Sequence, residues 1–582
     1  MASDGGAIVG EILASRGVRH LFTLCGGHIS PILVGAQKNG IQVVDVRDEV
    51  SAVFAADAVA RMTGVPGAAA VTAGPGVTNT VTALKNAQMV QSPIILFGGA
   101  AATLLKGRGS LQDIDQISVL QSITKWAVAV KKVRSIGPTV EKALDIAQEG
   151  VPGPVFVELP IDLLYSEEMV REMFMKEVGG QGGKNLGAKA LELYMRGHLY
   201  RQFNQPHVSI VPPTRESLPP KPGTRSPHVE KVASLLEKAE RPALVIGSQA
   251  LVNTSNPYPI ADAVQALGVP TWLGGMARGL LGRHSDVQFR HKRSAALKEA
   301  DLVIVAGFPF DFRLGYGRAI SNRATLVAAN LSASEMRKNR RPEISVHMHA
   351  GEFLRELSSI AAGRLRSWSD WFDTLRAREA ERDAEIAEQA RAPSELVNPL
   401  QLFRRIEEKM SDDAVLVVDG GDFVATASYI LRPRKPLSWL DPGVFGTLGV
   451  GGGFAVGASL VRPGKEIWLI YGDGSCAYSI AEMDTCVRHG LAPIAVIGTD
   501  GSWAQIAREQ VPMLGTDVGT VLRRTAYHDV AQGYGAVGLL LDDPSRIDAV
   551  LDEARALAAS GKPVVINVHI AKTEFRKGSI SM

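Results

Sequence analysis

The sequence predicts an α/β protein made of three doubly wound domains, each with a parallel β-sheet between helices. The first reason is that apolar runs of strand length alternate with helical stretches in three separate blocks of the chain. The second is that a length of 582 residues, with 46% hydrophobic and 21% charged residues, suits a protein with several large cores. This composition excludes an intrinsically disordered chain, a collagen-like repeat and a disulfide-rich miniprotein.

Charge and cysteine content indicate which partners and which cellular compartment to expect. The 63 Lys and Arg against 60 Asp and Glu leave a net charge of +3 without a basic block, so we expect no nucleic-acid partner. Cys25, Cys476 and Cys486 cannot form a disulfide framework and lack metal-ligand spacing, which fits a reducing compartment. Glycine and proline interrupt both long uncharged stretches, 63–84 and 442–461. We therefore expect a cytoplasmic protein without a membrane span.

The first block contains four predicted strands and a predicted helix at 51–64. The strands are predicted at 41–46, 67–73, 92–99 and 153–160. Proline- and glycine-rich sequence follows, so the N-terminal domain is predicted at 1–166 and a linker at 167–227. Within the linker, 189–203 can form a helix that is either a surface ornament or a membrane-touching element. Gly197 interrupts it and favours the ornament.

The second and third blocks repeat the alternation. A central domain is predicted at 228–361, a charged linker helix within 362–397, and a C-terminal domain with a tail at 398–582. The predicted strands are 241–247, 300–307 and 324–330 in the central domain, and 414–421, 465–474, 491–501 and 562–570 in the C-terminal domain.

Acidic residues end two neighbouring strands of the third block. Asp473 lies in Gly-Asp-Gly-Ser, and Asp500 follows the next strand, 27 positions later. The carboxyl ends of parallel strands are where α/β sheets place ligands. The glycines allow a phosphate to approach, and a helix after Ser475 would direct its N–H groups at that anion. Two carboxylates with diphosphate oxygens suit Mg²⁺. A Gly-Asp-Gly alone is usually an ordinary turn, so the spacing carries the prediction.

These residues resemble the diphosphate motif of thiamine diphosphate-dependent enzymes, in which Gly-Asp-Gly is followed further along by Asn-Asn. Here Thr499-Asp500 stands in that place, and the added negative charge leaves the metal preference open. The resemblance implies thiamine diphosphate and Mg²⁺ as cofactors. It implies cofactor contacts from Gly474 and Ser475 and metal ligands at Asp473, Asp500 and Ser502.

Two segments of the first block extend the resemblance. Residues 46–49, Val-Arg-Asp-Glu, resemble the family's Arg-x-Glu, which implies that Glu49 hydrogen-bonds N1′ of the cofactor's aminopyrimidine. An acid in an apolar pocket favours its neutral form and can donate to that ring. Without the family, Glu49 is a helix N-terminal carboxylate stabilised by the dipole. Residues 71–79 resemble the Thr-Ser-Gly-Pro-Gly loop of acetolactate synthases.

Two segments of the third block also match, so the resemblance covers essentially the whole chain. Residues 445–449 resemble a Gly-Thr-Met-Gly segment, which implies that Leu448 wedges between the cofactor rings and that the Gly446 carbonyl accepts from the amino group. The alternative for Leu448 is a core leucine. Residues 419–423 end another strand and are implied to cradle the diphosphate through backbone N–H groups of Gly421, Asp422 and Phe423. The three domains are then pyrimidine-binding, central and diphosphate-binding.

Substrate-facing residues follow from the same resemblance. His28, in Gly-Gly-His after the first strand, is implied to relay protons, although a structural donor role is an equal alternative. Leu111-Gln112-Asp113 matches a Phe-Gln-Glu segment and puts the Gln112 amide near the substrate. Trp503 and Gln505 either shape the pocket or pack in the core.

The middle of the chain separates the branches of the family. Residues 275–281 and 293–301 resemble oxalyl-CoA decarboxylases and 2-hydroxyacyl-CoA lyases, and 439–451 and 502–515 resemble an acetolactate-synthase-like branch of these lyases. The resemblance implies reversible cleavage of a 2-hydroxyacyl-CoA to formyl-CoA and an aldehyde or ketone. A carboligase acting on 2-ketoacids is the alternative. Retained acids argue against a non-catalytic relative, and no Gly-x-Gly-x-x-Gly supports a dehydrogenase.

The resemblance also implies partners. Because Glu49 and the Gly-Asp-Gly site lie on different domains, the family places the active site at a subunit interface, in a homodimer or homotetramer. The tail at 572–582 either closes over CoA, with Arg576 and Lys577 near phosphates, or is an unstructured end. An ADP- or CoA-type nucleotide, or FAD, in the central domain could be met by four basic residues that otherwise form a solvated face: Arg278, Arg283, Lys292 and Arg293.

Overall fold

A computed structural model describes residues 4–177, 186–203 and 226–578. These residues form three six-stranded sheets in which every described strand pairing is parallel, with helices around each sheet. The predicted fold class is therefore confirmed. The chain divides into two compact units, one of residues 1–60 with 64–218 and one of residues 61–63 with 219–582.

The N-terminal domain has the strand order β2-β1-β3-β4-β6-β5. Its strands are β1 (His20–Leu24), β2 (Gln42–Asp45), β3 (Gly67–Val71), β4 (Ile94–Ala100), β5 (Trp126–Ala129) and β6 (Val155–Pro160). Its helices are α1 (Gly5–Ser15), α2 (Ser30–Lys38), α3 (Glu49–Thr63), α4 (Pro75–Asn79), α5 (Val81–Val90), α6 (Gln116–Leu120), α7 (Ile136–Gln148), α8 (Glu167–Glu177) and α9 (Leu186–Phe203). The small side chains of β3 are all buried, which lets helices pack closely on both faces of the sheet.

The central domain has the order β12-β11-β10-β7-β8-β9. Its strands are β7 (Pro242–Ile246), β8 (Thr271–Leu273), β9 (Gln288–Phe289), β10 (Leu302–Ala306), β11 (Thr325–Ala329) and β12 (Ile344–Val346). Its helices are α10 (Pro227–Lys238), α11 (Tyr258–Leu267), α12 (Arg293–Glu299), α13 (Ala333–Met336) and α14 (Ala350–Ala361). The charged helix expected after this domain is α15 (Ser369–Ala390), which buries Trp371 and Leu375 against the central core.

The C-terminal domain has the order β14-β13-β15-β16-β18-β17. Its strands are β13 (Val415–Val418), β14 (Trp439–Leu440), β15 (Ile467–Gly472), β16 (Ile494–Thr499), β17 (Val537–Leu541) and β18 (Val564–His569). Its helices are α16 (Pro399–Lys409), α17 (Asp422–Ile430), α18 (Val450–Val461), α19 (Asp473–Ser479), α20 (Glu482–Arg488), α21 (Ala504–Leu514), α22 (Tyr527–Gly533) and α23 (Ile547–Ala559). The ends of β13, β15 and β16 therefore lie side by side.

Every strand predicted from the sequence overlaps an observed strand, but the three-residue inner strand β8 and several edge strands were not predicted. Strands β5, β9, β12, β14 and β17 all lie at sheet edges. They are either two or three residues long or, like β5, only half-buried along their length. An edge strand needs fewer apolar residues than a strand covered on both faces, so it lacks the continuous apolar run that marks the inner strands.

The helix expected over 189–203 is confirmed as part of α9. Met195 and Leu199 are buried against Val170 and Phe174 of α8, whereas Leu193 on another side of the helix is 73% exposed. A membrane-spanning helix would have to be long and strongly apolar, and no helix in the described part of the chain meets both conditions.

Candidate active site

Glu49 is the first residue of α3 and is buried, with 6% of its surface exposed. Asn79 Nδ2 donates a hydrogen bond to Glu49 Oε2 at 3.0 Å. The neighbouring Asp48 caps the helix instead, since its carboxylate accepts from the Val50 N–H at 3.1 Å. A Cβ at Gly76 would lie 3.3 Å from Glu49 Oε1, so glycine keeps side-chain atoms away from this second oxygen. Asp48 is thus the helix cap, and the carboxyl group of Glu49 is not used for capping.

His28 and Gln112 meet at Thr72. His28 Nδ1 lies 3.2 Å from Thr72 Oγ1, and the Thr72 hydroxyl donates to Gln112 Oε1 at 3.4 Å. Burial lowers the pKa of His28, which favours the neutral imidazole. Sequence reasoning missed both Thr72 and Asn79 as site residues, although both stand in the 71–79 segment that carries the resemblance. Both are polar residues of this segment, Thr72 just before α4 and Asn79 at its end, and these positions are the signal that could have identified them.

A cavity of about 780 Å³ in the second unit receives most of its lining from the C-terminal domain. It contains every cofactor and metal residue predicted for the C-terminal domain, and Trp503 and Gln505 also line it. These predicted residues are Gly421, Asp422, Phe423, Gly446, Leu448, Asp473, Gly474, Ser475, Asp500 and Ser502.

Two acids stand at the floor of this cavity. The oxygens of Asp473, which is 3% exposed, accept from the Gly474 and Gly501 N–H groups, each at 2.8 Å. Asp500 Oδ1 accepts from the Ser502 N–H at 2.9 Å. Burial raises the pKa of Asp473, and burial together with the charge of Asp473 raises the pKa of Asp500 to about 7. A cation between the two carboxylates would relieve both effects.

Asp419 has a structural role in the same cavity wall. Its two oxygens accept from the N–H groups of Gly449 at 2.9 Å and Gly451 at 2.6 Å, at the start of α18. Burial raises its pKa to about 7, although these hydrogen bonds oppose the shift. The carboxylate thereby ties the end of β13 to the segment that carries Gly446 and Leu448.

Two glycines leave space for large side chains at the cavity. A Cβ at Gly420 would lie 2.4 Å from Leu448 Cδ2, and a Cβ at Gly474 would lie 2.4 Å from the Trp503 ring. At either position a larger residue would have to displace the neighbouring side chain, the terminal methyl of Leu448 or the ring of Trp503. The half-buried Leu448 therefore rests on the Gly420 backbone at the cavity wall, as a wedging residue would.

Phe423 contributes to the core as well as to the cavity wall. Its ring packs on Phe403, with centroids 4.5 Å apart, and lies 2.4 Å from where a Cβ at Gly498 would be. A Cβ at Gly421 or Gly446 would meet no atom within 4 Å, so the space in front of these two glycines is open. Their backbone groups can therefore be reached by a bound anion or ring.

A second cavity, of about 760 Å³, is lined by seven basic residues. Arg278, Lys292 and Arg293 were predicted, whereas Arg283 lies outside the lining and pairs with Glu407 at 3.4 Å. Arg576, which the sequence analysis named near phosphates as part of the tail, also lines this cavity. The other three line it through packing that the sequence does not reveal: Arg290, Arg313 and Arg382.

Burial and mutual repulsion lower the pKa of several guanidinium groups in this second cavity. Burial lowers the pKa of Arg278, and burial followed by the charge of Arg278 lowers that of Arg293. Burial and the charge of Arg432 lower the pKa of Arg290 to about 10. Arg576 of the C-terminal tail packs over the Tyr429 ring at 5.4 Å and lines both cavities. An anionic ligand would stabilise this cluster.

Comparison with known proteins identifies the class. Family models described as the N-terminal, central and C-terminal domains of thiamine pyrophosphate enzymes match residues 3–119, 229–357 and 419–568. The chain belongs to the thiamine pyrophosphate enzyme family.

Within this family, the chain is more similar to some curated members than to others. The chain is 48% identical to 2-hydroxyacyl-CoA lyase 2 of Danio rerio over 99% of its length and 93% of the relative, and 46% identical to that of Homo sapiens over 99% and 92%. It is 32% identical to a probable acetolactate synthase of Mycobacterium bovis over 97% and 95%.

Thiamine diphosphate, which is thiamine pyrophosphate, is therefore the cofactor, and the residues present fit it. The open backbone at Gly421 and Gly446 can receive a diphosphate and a ring, and the start of α19 directs N–H groups toward the same cavity. Glu49, in the first unit, is a buried carboxylic acid, a group that can hydrogen-bond a ring nitrogen.

Proposed function

We propose that the protein is a thiamine diphosphate- and Mg²⁺-dependent 2-hydroxyacyl-CoA lyase. It cleaves a 2-hydroxyacyl-CoA to formyl-CoA and an aldehyde or ketone, and it catalyses the reverse condensation. The observation that carries the proposal beyond the family is the cluster of basic side chains beside the cofactor cavity, because it suits the phosphates of CoA. The curated lyases that the chain resembles over 99% of its length support the same reaction.

When bound, thiamine diphosphate supplies the carbon nucleophile and stabilises the charge that develops as the carbon–carbon bond breaks. Glu49 holds a proton at the ring nitrogen. Asp473, Asp500 and Ser502 bind Mg²⁺, and the backbone N–H groups near Gly421 and Gly474 bind the diphosphate. Leu448 would contact the rings of the bound cofactor.

His28 and Gln112 act on the substrate oxygen in this proposal. Because the Thr72 hydroxyl donates to Gln112, Nδ1 of His28 donates to Thr72 Oγ1, and the other nitrogen of the neutral imidazole can accept a proton. The Gln112 amide still has its N–H₂ group to donate, because its carbonyl oxygen accepts from Thr72. The Thr72 hydroxyl orients both side chains toward the same reacting group.

The basic cavity is proposed as the site of the CoA phosphates. Arg278 lies between the two cavities, and its guanidinium packs 4.7 Å from the centre of the Trp439 ring. The phosphate-bearing end of CoA in one cavity would then direct the thioester toward the other. ADP or FAD in the same place is an alternative occupant.

Replacing Arg293 by Gln is expected to raise the KM for the CoA thioester about tenfold with little change in kcat. One charge-assisted hydrogen bond to phosphate is worth roughly that factor. Steady-state kinetics with Arg283→Gln as the matched control would check this, because Arg283 pairs with Glu407 outside the cavity. Equal effects of the two substitutions would exclude the basic cavity as the phosphate site.

The assembly belongs to the same proposal. Glu49 and the Asp473–Asp500 pair lie on different domains, and in the enzymes that the sequence resembles such halves come from different subunits. We therefore include a homodimer or homotetramer with the active site at the interface. The three cysteines are free thiols, which supports a cytoplasmic location.

The reaction is tested by incubating the protein with thiamine diphosphate, Mg²⁺ and a 2-hydroxyacyl-CoA and detecting formyl-CoA by mass spectrometry. A parallel tube with pyruvate tests acetolactate formation, since a probable acetolactate synthase is among the relatives at 32% identity. Formyl-CoA is the expected product. Acetolactate without formyl-CoA would transfer the protein to the carboligase branch.

A further inference from the structure

A fully buried carboxylate lies within the N-terminal sheet, away from the acids assigned so far. Glu158 is on β6, opposite Gly98 of β4, and is 0% exposed. Its Oε1 forms an ion pair with Lys106 Nζ, and its Oε2 accepts from Gln116 Nε2 at 2.8 Å. A buried charge must be paired to be tolerated, and Lys106 is the cation that pairs with this carboxylate.

Glu158 is one of three hydrogen-bond partners that orient the Gln116 amide. Gln116 is 1% exposed, and its Nε2 donates to Glu158 Oε2 and to the Gly99 carbonyl at 3.0 Å. Both amide protons are used in this way, so the carbonyl oxygen must face the other direction. There it accepts from the Gly74 N–H at 2.8 Å.

Gly74 connects this network to the residues proposed to face the substrate. It has φ +61°, and a Cβ there would lie 2.8 Å from the Gln112 carbonyl oxygen. The two backbones are thus in direct contact, and Gln112 itself has φ +62°. A residue in this left-handed region holds its place only when its neighbours constrain it. Thr72 then links Gln112 to His28.

Lys106 lies on the segment 101–115, which also carries Gln112. This segment is mainly turns, and Leu111 next to Gln112 is 81% exposed. Lys106 keeps 36% of its side chain exposed, but its ammonium reaches inward to Glu158. One ion pair therefore joins the segment to the same carboxylate that orients Gln116 beneath Gly74.

We propose that Lys106 is a positioning residue for the reaction. By neutralising Glu158 it keeps Gln116 in the orientation that holds Gly74, and Gly74 supports Gln112 and, through Thr72, His28. Lys106 touches neither substrate nor cofactor in this role. Its effect on catalysis rests on the proposed function, whereas its effect on Gly74 does not.

The test compares Lys106→Met with Lys106→Arg and with Arg108→Met, an exposed cation of the same segment. For Lys106→Met, kcat is expected to fall about 10- to 100-fold, the cost of a small misplacement, while KM changes less than about twofold. Hydrogen exchange at the Gly74 amide should accelerate at least about tenfold. Lys106→Arg should restore most of both quantities, and Arg108→Met should resemble the wild type.

A double variant keeps the test informative if Lys106→Met folds poorly. Lys106→Met with Glu158→Gln removes both charges and leaves an amide oxygen for Gln116, so it should fold and recover slow Gly74 exchange. Unchanged kcat and Gly74 exchange in folded Lys106→Met would overturn the proposal, as would failure of Lys106→Arg to restore them. Absence of lyase activity in the wild type would refute the proposed function instead, and the exchange data would still test the positioning role.

Discussion

Replacing Glu49 by Gln is expected to lower kcat for cleavage of a 2-hydroxyacyl-CoA by about 1,000-fold or more. An amide has the same size, but it cannot hold and release a proton at the cofactor's ring nitrogen, and general acid–base catalysis contributes about 10²- to 10⁴-fold. The variant should fold normally, because the amide oxygen can still accept from Asn79, which donates to Glu49 at 3.0 Å. Steady-state kinetics and thermal unfolding measure the two quantities.

Asp48→Asn is the matched control for this substitution. It changes the adjacent acid, which caps α3, and asparagine caps helices as well as aspartate does. We expect its kcat to stay within about twofold of the wild type. Activity of Glu49→Gln within about tenfold of the wild type would exclude Glu49 as the catalytic acid.

The same variant tests the shared site. Coexpression of Glu49→Gln with Asp473→Asn should restore activity in mixed assemblies, because one of two interfacial sites then receives both unaltered halves. Each variant alone should be inactive. If the mixed assemblies remain inactive although they form, each site is made within one subunit and the interfacial model is wrong.

Replacing Asp500 by Ala is expected to weaken Mg²⁺-dependent binding of thiamine diphosphate by about 100-fold. The variant loses one metal ligand and leaves the Ser502 N–H without its acceptor at 2.9 Å. Asp500→Asn should bind within about tenfold of the wild type, since its amide oxygen can serve both purposes. Calorimetric titration of thiamine diphosphate with and without a chelator measures this, with the exposed Asp517→Ala as control.

The pH dependence of binding should distinguish these variants. The pKa of Asp500 is raised to about 7 by burial and by the charge of Asp473. In the proposed site Mg²⁺ binds the ionised carboxylate of Asp500, so metal affinity in the wild type should fall as pH drops below about 7, by up to about tenfold per pH unit for one proton. Asp500→Asn lacks this titrating group, so its metal affinity should depend less steeply on pH. The pH dependence that remains would come from Asp473. Identical pH profiles would show that Asp500 is not a metal ligand.

The sequence alone was sufficient for the inner architecture and for most of the cofactor cavity. Strands such as β10 and β16 are covered on both faces, so they are continuous apolar runs that can be recognised without a structure. Asp473 and Asp500 follow adjacent parallel strands, and parallel strands bring their carboxyl ends together whatever the rest of the fold does. Fold class and acid pair are therefore properties of local pattern and strand order.

The direction of individual side chains was decided only by the tertiary structure. Arg283 and Arg290 are both basic residues of the central domain, yet only Arg290 lines the basic cavity. Asp419 lies in a predicted diphosphate-binding segment, yet its carboxylate caps α18. In each case the partner is distant in the chain, and packing between elements, rather than local propensity, selects the contact.

The network from Lys106 to Gly74 shows the same division. The sequence contains Lys106, Gln116 and Glu158 without any spacing that relates them, since they lie on a turn segment, a short helix and an inner strand. Folding buries the carboxylate, and burial creates the requirement for a cation and for an oriented amide. That requirement exists only in the folded chain, because in water the same three side chains would be solvated independently.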